Sequence, residues 1–147
     1  MNRINVKIKK LDPQATLPRY GTEFAAGADL YALLTAPVTL LPGQTVMIST
    51  GLAMELPVGY VGLVYARSGL ACKSGLAPAN KVGVIDSDYR GEIKVALYNQ
   101  SGEARTVCSG DRIAQLVIAP YYMADFEEVS VLEQTPRGTG GFGSTGT

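Results

Sequence analysis

The chain has 147 residues, of which 46% are hydrophobic and 18% are charged, and its formal net charge is zero. These values predict one globular domain with a single core, and they argue against a general DNA or RNA binder, which usually carries a basic excess. The sequence contains no histidine, which excludes Ser-His-Asp and Cys-His catalysis and almost every zinc site.

The lack of histidine also narrows the choice of general base and of metal ion. A base must then be a carboxylate, Lys, Tyr or Cys. A metal ion that takes part is expected to be hard and bound by oxygen, with Mg²⁺ as the first choice.

The N-terminal segment and the cysteines predict a cytoplasmic protein. The first ten residues, MNRINVKIKK, contain no apolar segment of the signal-peptide kind, and no stretch is long and apolar enough to span a membrane. Cys72 and Cys108 are the only cysteines. We therefore expect two reduced thiols and neither a membrane nor a nucleic acid as partner.

Apolar and polar residues alternate along most of the chain, which is the period of a half-buried strand. Turn signals recur about every ten residues, as they do in sandwiches and barrels. The alternating segments are INVKIKKL (4–11), LLPGQTVMISTGLAMEL (40–56), LPVGYVGLVYA (56–66), GVIDSDYRGEIKVALYN (83–99) and RIAQLVIAP (112–120). We interpret the fourth as two strands around a polar turn. The pattern predicts an all-β domain.

Two other kinds of segment interrupt or follow these strands. The best helix candidate is short, near SGLACKSGLA (68–77), and its glycines weaken it. Residues 125–136, DFEEVSVLEQTP, are acidic and are expected to form a strand or an extended arm that leaves the core. We place the main domain at residues 1–124 and the arm with its Gly-rich tail at residues 125–147.

The stretches AGADLYA (26–32) and ARSGLACKSG (66–75) both contain polar groups among small residues. Asp29 reads most simply as a turn residue that accepts hydrogen bonds from its own backbone. Arg67, Ser68 and Gly69 combine a guanidinium, a hydroxyl and an open backbone, which together suit phosphate oxygens, and the alternative is an ordinary loop with a surface arginine.

The stretch NKVGVIDSDYRGEI (80–93) contains the best candidate for a general base. Asp86 and Asp88 flank Ser87 in an apparent hairpin turn, where Asp-Ser-Asp is common for conformational reasons alone. Apolar residues precede Asp86, so its carboxylate is expected at the edge of a pocket rather than in open water. Partial burial of that kind would raise its pKa and make it a better base.

The stretch SGDRIAQLVIAP (109–120) places Arg112 and Gln115 in an otherwise apolar strand. A buried glutamine needs hydrogen-bond partners. Two alternatives stand equally: Gln115 contacts the backbone across the sheet, or it reaches a ligand.

The chain ends in RGTGGFGSTGT (137–147), whose composition is that of a linker. Arg137 and Phe142 are nevertheless suited to a nucleotide, because a guanidinium can bind phosphate and a ring can stack on a base. Glycines allow backbone amides to approach phosphates closely. The alternatives are a lid over a nucleotide and a disordered end with an incidental Phe142.

Taken in order, these five stretches resemble the five motifs of the trimeric dUTPase family, the deoxyuridine triphosphate nucleotidohydrolases. Here the motifs read AGADLYA, ARSGLA, NKVGVIDSDYRGEI, GDRIAQLVI and RGTGGFGSTG, and the resemblance runs from about residue 20 to the end. It implies a distorted β jelly roll, a homotrimer with exchange of the C-terminal arm, and Mg²⁺-assisted hydrolysis of dUTP to dUMP and pyrophosphate.

The resemblance also implies a role for each site residue. Asp86 would activate the attacking water, and Tyr89 would pack under the deoxyribose and exclude a 2′-hydroxyl. Asn80 and the backbone of Gly83, Val84 and Ile85 would read uracil. Phosphate contacts would come from Arg67, Ser68, Gly69, Gln115 and, in the tail, Arg137, Gly143, Ser144 and Thr145. Phe142 would stack on uracil, Asp29 would support the site indirectly, and Mg²⁺ would be held by the triphosphate and water.

The family's site architecture implies that each active site lies between subunits. The second and fourth motifs would come from one subunit, the third from a neighbour and the tail from the third subunit.

Two other functions stay open from the sequence. The dCTP deaminase family shares the fold and the trimer, but its catalytic glutamate aligns with Ala96, and Glu92 is four residues away on the same strand face. A bifunctional form of that kind is a further variant. The second alternative is a non-catalytic β-module that binds a protein or regulates expression.

Overall fold

The computed structural model of the protein describes residues 3–142, and these form twelve strands and one short helix. In chain order the elements are β1 (Lys7–Lys10), β2 (Arg19–Tyr20), β3 (Ala28–Tyr31), β4 (Val38–Leu40), β5 (Thr45–Ser49), β6 (Leu52–Glu55), β7 (Tyr60–Tyr65), α1 (Ser68–Ser74), β8 (Leu76–Pro78), β9 (Val82–Ile85), β10 (Lys94–Asn99), β11 (Arg105–Val107) and β12 (Arg112–Pro120).

The strands pair antiparallel in four small sheets that share one core. The largest sheet has the strand order β2-β3-β12-β7-β9, and a three-stranded sheet has the order β5-β10-β8. Two further pairs are β1 with β6 and β4 with β11. The prediction of an all-β fold is confirmed.

Alternation along the strands decides which side chains enter the core. In β3, Ala28 and Leu30 are buried whereas Asp29 and Tyr31 are only partly buried. Leu30 is fully buried and Leu116 of β12 is nearly so, and burial of one such side chain stabilises the fold by about 1.5–3 kcal/mol. Because successive side chains point to opposite faces, Asp29 is held on the outer face of this sheet.

The short helix forms where the sequence predicted it, between β7 and β8. It ends at Gly75, whose φ of 67° is the left-handed conformation that glycine adopts without strain. A Cβ atom on Gly75 would lie 2.8 Å from Cβ of Ser101, so the position also has no room for a side chain.

The prediction of a hairpin at residues 83–99 is wrong. Strand β9 pairs with β7, whereas β10 pairs with β5 and β8 in another sheet. A turn does form after Asp86, where the Tyr89 amide donates to the Asp86 carbonyl at 3.2 Å. Eight residues separate the strands, more than the two to five of a usual hairpin loop, and they cross from one sheet to the other.

Beyond Pro120 the described part of the chain contains no strand or helix, so the strand alternative for residues 125–136 is wrong. These residues are exposed throughout, as expected of an extended arm. The division at residue 124 stays a prediction. No helix between residues 3 and 142 has the length and apolarity that crossing a bilayer requires.

Candidate active site

Six of the predicted site residues line one cavity of about 450 Å³, a volume typical of small-molecule sites. The cavity is formed by the turn before β9, by β9 itself, by the turn that follows it, and by β10 opposite. The six residues are Asn80, Gly83, Val84, Ile85, Asp86 and Tyr89.

Three residues of strand β9, Gly83, Val84 and Ile85, line this cavity. It is the last strand of the five-stranded sheet and pairs only with β7 within the described range of 3–142. In an antiparallel edge strand, alternate residues direct their N–H and C=O groups away from the neighbouring strand, where they are free to bind another molecule. Gly83 to Ile85 can therefore offer donors and acceptors to the polar edge of a planar ring.

Hydrogen bonds within its own loop hold Tyr89 in place. Its hydroxyl donates to the carbonyl of Glu92 at 2.9 Å, and Nη1 of Arg90 donates to the carbonyls of Ser87 and Tyr89 at 2.7 and 3.0 Å. A Cβ atom on Gly91 would lie 2.6 Å from Cζ of Tyr89, so this loop conformation requires glycine there. The ring is thus a fixed, half-exposed surface at the cavity wall.

Asp86 directly follows β9 and lines the cavity, but it is exposed in the single chain. The expected position at a pocket edge is therefore present, whereas the expected partial burial is absent. Its carboxylate makes no hydrogen bond to any described side chain or backbone group, which leaves its oxygens available to a water or a ligand.

A second group of predicted residues is organised around Asp29. Its Oδ1 accepts a hydrogen bond from Nε of Arg67 at 2.6 Å, and its Oδ2 accepts one from Nη1 of Arg112 at 3.3 Å. The side chain of Asp29 is 15% exposed and that of Arg67 is 23% exposed, so this pair is shielded from solvent. The interpretation of Asp29 as a turn residue is wrong, because it lies inside strand β3.

This arrangement fixes which atoms of Arg67 remain available. Nε is bound to Asp29, and Nη1 donates to the Arg112 carbonyl at 3.4 Å. Nη2 makes no hydrogen bond with the residues that the structure describes. Asp29 therefore fixes the orientation of the Arg67 side chain.

Gln115 makes the backbone contact that was one of its two predicted alternatives, and a contact with a ligand stays a prediction. Nε2 donates to the Ala66 carbonyl at 2.8 Å and so holds β12 to the segment that leads into Arg67. A Cβ atom on Gly27 would lie 3.1 Å from Cδ of Gln115, so glycine in the AGADLYA motif gives this side chain its space.

Ser68 and Gly69 are exposed at the start of α1. A Cβ atom on Gly69 would meet nothing within 4 Å, so the surface is open at this point. The Ser68 hydroxyl makes no hydrogen bond with the described residues.

The two groups lie at opposite ends of the β7–β9 pair. The pairing runs from Gly62 with Ile85 to Tyr65 with Val82, a length of about 10 Å. Asp86 continues from the first end, and Arg67 lies two residues past Tyr65 at the other end. Since the cavity lining also includes neither Asp29 nor Gln115, one chain does not bring all the predicted residues to one place.

The tail contributes a third, separate set. Nε of Arg137 donates to the Gly140 carbonyl at 2.8 Å within the tail, and Phe142 is fully exposed. Gly143, Ser144 and Thr145 lie outside the described residues.

Glu92 does not stand where the sequence interpretation placed it. It precedes β10 rather than lying in that strand, its Oε1 accepts from the Gly51 amide at 3.0 Å, and its Oε2 lies 3.4 Å from Nζ of Lys94. Ala96, the position that aligns with a deaminase glutamate, lines the cavity with a methyl group.

Arg112 is a site residue for which the sequence predicted no role. The pairing of β3 with β12, across 83 residues of sequence, is what brings it to Asp29. Its place in the same motif as Gln115 was the only signal available.

No group of three or more Asp, Glu or Cys side chains is arranged to hold a metal ion in the part of the chain that the structure describes. Both oxygens of Asp29 are engaged by arginines, whereas those of Asp86 are not. This donor set fits a hard cation that arrives with a polyphosphate and keeps oxygen ligands from phosphate and water.

Comparison with known proteins identifies the family. A family model described as dUTPase matches residues 13–146. The deoxyuridine 5′-triphosphate nucleotidohydrolases of Desulfitobacterium hafniense and Bdellovibrio bacteriovorus are 56% and 50% identical to this chain, each over 99% of both sequences.

The solved dUTPase of Staphylococcus bacteriophage 80alpha with dUPNHPP has a TM-score of 0.88 at 28% identity, covering 97% of this chain and 99% of that one. The dUTPase from phage phi11 of S. aureus has a TM-score of 0.79 at 26% identity, covering 90% of this chain and 100% of that one. The resemblance inferred from the five motifs is confirmed, and this all-β chain with its jelly-roll fold belongs to the dUTPase family.

Proposed function

We propose that this protein hydrolyses dUTP to dUMP and pyrophosphate, which keeps uracil out of DNA and supplies dUMP for thymidylate synthesis. The names of relatives 56% and 50% identical over nearly the whole chain support this activity. The observation that carries the proposal is the cavity in which the candidate base Asp86, the ring of Tyr89 and the free edge of β9 meet. A cytoplasmic location stays a prediction.

Recognition of the base and the sugar follows from this cavity. The free backbone of Gly83 to Ile85, with Asn80, would pair with the polar edge of uracil. Cytosine presents a donor where uracil presents an acceptor, so it would leave a buried polar group without a partner. Tyr89 would pack under the deoxyribose and leave no room for a 2′-hydroxyl.

The phosphates would be bound by the second group of residues. The outer N–H groups of Arg67, oriented by Asp29, would donate to phosphate oxygens, with Ser68, Gly69 and the second N–H of the Gln115 amide nearby. Charge-assisted hydrogen bonds of this kind are stronger than neutral ones and position the reacting phosphorus.

In the proposed reaction, Asp86 accepts a proton from a water molecule whose oxygen attacks the α-phosphorus in line. A bond forms from that oxygen to phosphorus, the bond to the bridging oxygen breaks, and pyrophosphate leaves with the electron pair. Arg67 stabilises the negative charge that develops on the phosphate oxygens. Mg²⁺ bound to the triphosphate would supply further neutralisation of that charge.

We further propose that the functional unit is a homotrimer whose sites combine residues of different subunits. Two observations support it: Asp86 and Arg67 lie at opposite ends of the β7–β9 pair, and the arm beyond Pro120 exposes large apolar side chains. Tyr122, Met123 and Phe126 are 100%, 87% and 98% exposed, which is unusual on a monomer and suits burial against another copy. The tail would then close over a site on a neighbour.

The proposed activity predicts release of pyrophosphate from dUTP in the presence of Mg²⁺, with little release from dCTP or UTP. In ¹⁸O-water the label should appear in dUMP, because the water attacks the α-phosphorus. Label in pyrophosphate would contradict that attack. Ammonia release from dCTP would favour a deaminase, and binding of dUTP without turnover would favour a non-catalytic module.

Replacing Gly91 should weaken discrimination at the sugar. In Gly91→Ala the new methyl group displaces the Tyr89 ring, so we expect kcat/KM for dUTP to fall roughly 10- to 100-fold and the preference for dUTP over UTP to narrow. Steady-state kinetics with both nucleotides measure this. Gly102→Ala is the matched control, because a Cβ atom there meets nothing within 4 Å. Unchanged selectivity in Gly91→Ala would show that Tyr89 does not discriminate between dUTP and UTP.

A further inference from the structure

Strand β2 places an arginine beside the Asp29 group. Arg19 is directly opposite Asp29 in the β2–β3 pair, and Asp29 is in turn opposite Gln115 in the β3–β12 pair. Residues opposite each other in antiparallel strands project from the same face, with Cβ atoms about 4.5–5.5 Å apart. Arg19, Asp29 and Gln115 therefore form one row across the outer face of the largest sheet.

The charges in this row are not balanced. Both oxygens of Asp29 already accept hydrogen bonds from Arg67 and Arg112, so neither is left to engage Arg19 fully. Arg19 is exposed, and its side chain makes no hydrogen bond or ion pair with any residue between positions 3 and 142. Two guanidiniums on one carboxylate, with Arg19 opposite that residue on the neighbouring strand, leave a local excess of positive charge in a chain whose formal net charge is zero. Such a patch favours a multiply charged anion.

The order of residues along the row indicates which part of the anion Arg19 would bind. Arg19 is on the outer side of Asp29, whereas Gln115 and the segment leading to Arg67 are on the inner side. With neighbouring strands about 4.8 Å apart, Arg19 and Gln115 are separated by about 10 Å at the backbone. A phosphate chain that is bound at Gln115 and Arg67 and runs along this row toward the edge strand would bring its last phosphate to Arg19.

We propose that Arg19 binds the terminal phosphate of the nucleoside triphosphate and is a further substrate-binding residue of this protein. This assignment rests on the proposed function, since it presumes that Arg67 and Gln115 bind the inner phosphates. A single edge-strand arginine at this position adds a contact that distinguishes a triphosphate from a monophosphate.

The test is the affinity of Arg19→Gln for two probes, dUMP and the non-hydrolysable analogue dUPNHPP, measured by calorimetry with Mg²⁺ at low salt. Loss of one exposed charge-assisted contact should weaken the affinity for dUPNHPP about three- to tenfold and leave the affinity for dUMP unchanged. The loss should shrink at high salt because an exposed charge is screened. Arg19→Lys should retain most of the affinity.

Lys9→Gln is the control, since it removes one exposed positive charge from β1 in a different sheet and should change neither affinity. If Arg19→Gln weakens the affinities for dUMP and dUPNHPP equally, or weakens neither, the assignment is overturned. If the unmodified protein releases pyrophosphate from dUTP, such a result overturns the Arg19 assignment alone. If the unmodified protein neither hydrolyses dUTP nor binds dUPNHPP, the proposed function and this assignment both fail.

Discussion

Asp86→Asn should lower kcat for dUTP hydrolysis by roughly 10²- to 10⁴-fold, the usual contribution of a positioned general base. Asparagine keeps the shape of the side chain and its place after β9, but it cannot take a proton from water at neutral pH. Because the carboxylate of Asp86 is exposed and makes no described hydrogen bond, its replacement should not disturb the fold. The affinity for dUPNHPP should therefore change little, and the effect should be confined to turnover.

Asp88 provides the control for this substitution. It lies two residues further along the same turn, is exposed, and is absent from the cavity lining. Asp88→Asn makes the same chemical change and should retain nearly full kcat. Equal rates for Asp86→Asn and the unmodified protein would remove Asp86 from the mechanism, and equal losses in both variants would point to a general charge effect instead.

Local pattern was enough to predict the longer strands and to identify the polar stretches, whereas the short strands β2, β4, β8 and β11 were not predicted. In β3 the alternation of Ala28 and Leu30 with Asp29 and Tyr31 is visible in the sequence, and burial follows it. The short helix was also visible, although its end at Gly75 depends on the left-handed φ and on the nearby Ser101. Such features depend on residues that are close in the sequence, so the sequence pattern alone can reveal them.

Long-range pairing could not be predicted in the same way. Asp29 was interpreted as a turn residue because it stands among small and apolar residues, where an aspartate commonly accepts hydrogen bonds from its own backbone. Its partners are 38 and 83 residues away, and only the pairing of β3 with β12 and the position of Arg67 after β7 bring them together. A small polar residue among small apolar ones is compatible with both a turn and a buried ion pair.

The missed crossing between β9 and β10 has a similar cause. Asp-Ser-Asp predicts a turn, and a turn is present, but turn chemistry does not specify which strands pair on either side. Ile85 and Ile93 are both buried, which holds the two ends of the loop against one core from different sheets. The crossing creates the cavity between β9 and β10 that Asp86 and Tyr89 line.

Removal of residues 137–147 should reduce kcat/KM for dUTP by roughly 10²- to 10³-fold, comparable to the loss of a preorganised charge-stabilising contact. The deleted segment contains Arg137 and Phe142, the proposed phosphate and uracil contacts of the lid. Its described hydrogen bonds are internal or made to Thr135 just before it, so the strands and the core should be unaffected. Steady-state kinetics should show the loss, and an unchanged Tm and oligomeric state should accompany it. Full activity after the deletion would show that this segment is only a linker.

Mixing the two inactive variants tests whether the tail acts on a neighbouring subunit. If Asp86 and the tail of one site come from different chains, trimers assembled from equal amounts of Asp86→Asn and the tail-deleted chain contain some intact sites. Such a site takes Asp86 from a tail-deleted chain and the tail from an Asp86→Asn chain. Random assembly gives about one quarter of sites of this kind, and therefore recovery of about one quarter of the normal rate.

The mixture is prepared by co-refolding, and each variant refolded alone is the control. If both groups of residues came from the same chain, every site would carry one defect or the other and no activity would return. Recovery thus requires exchange of the tail between chains, which also explains why a single chain leaves Phe142 fully exposed.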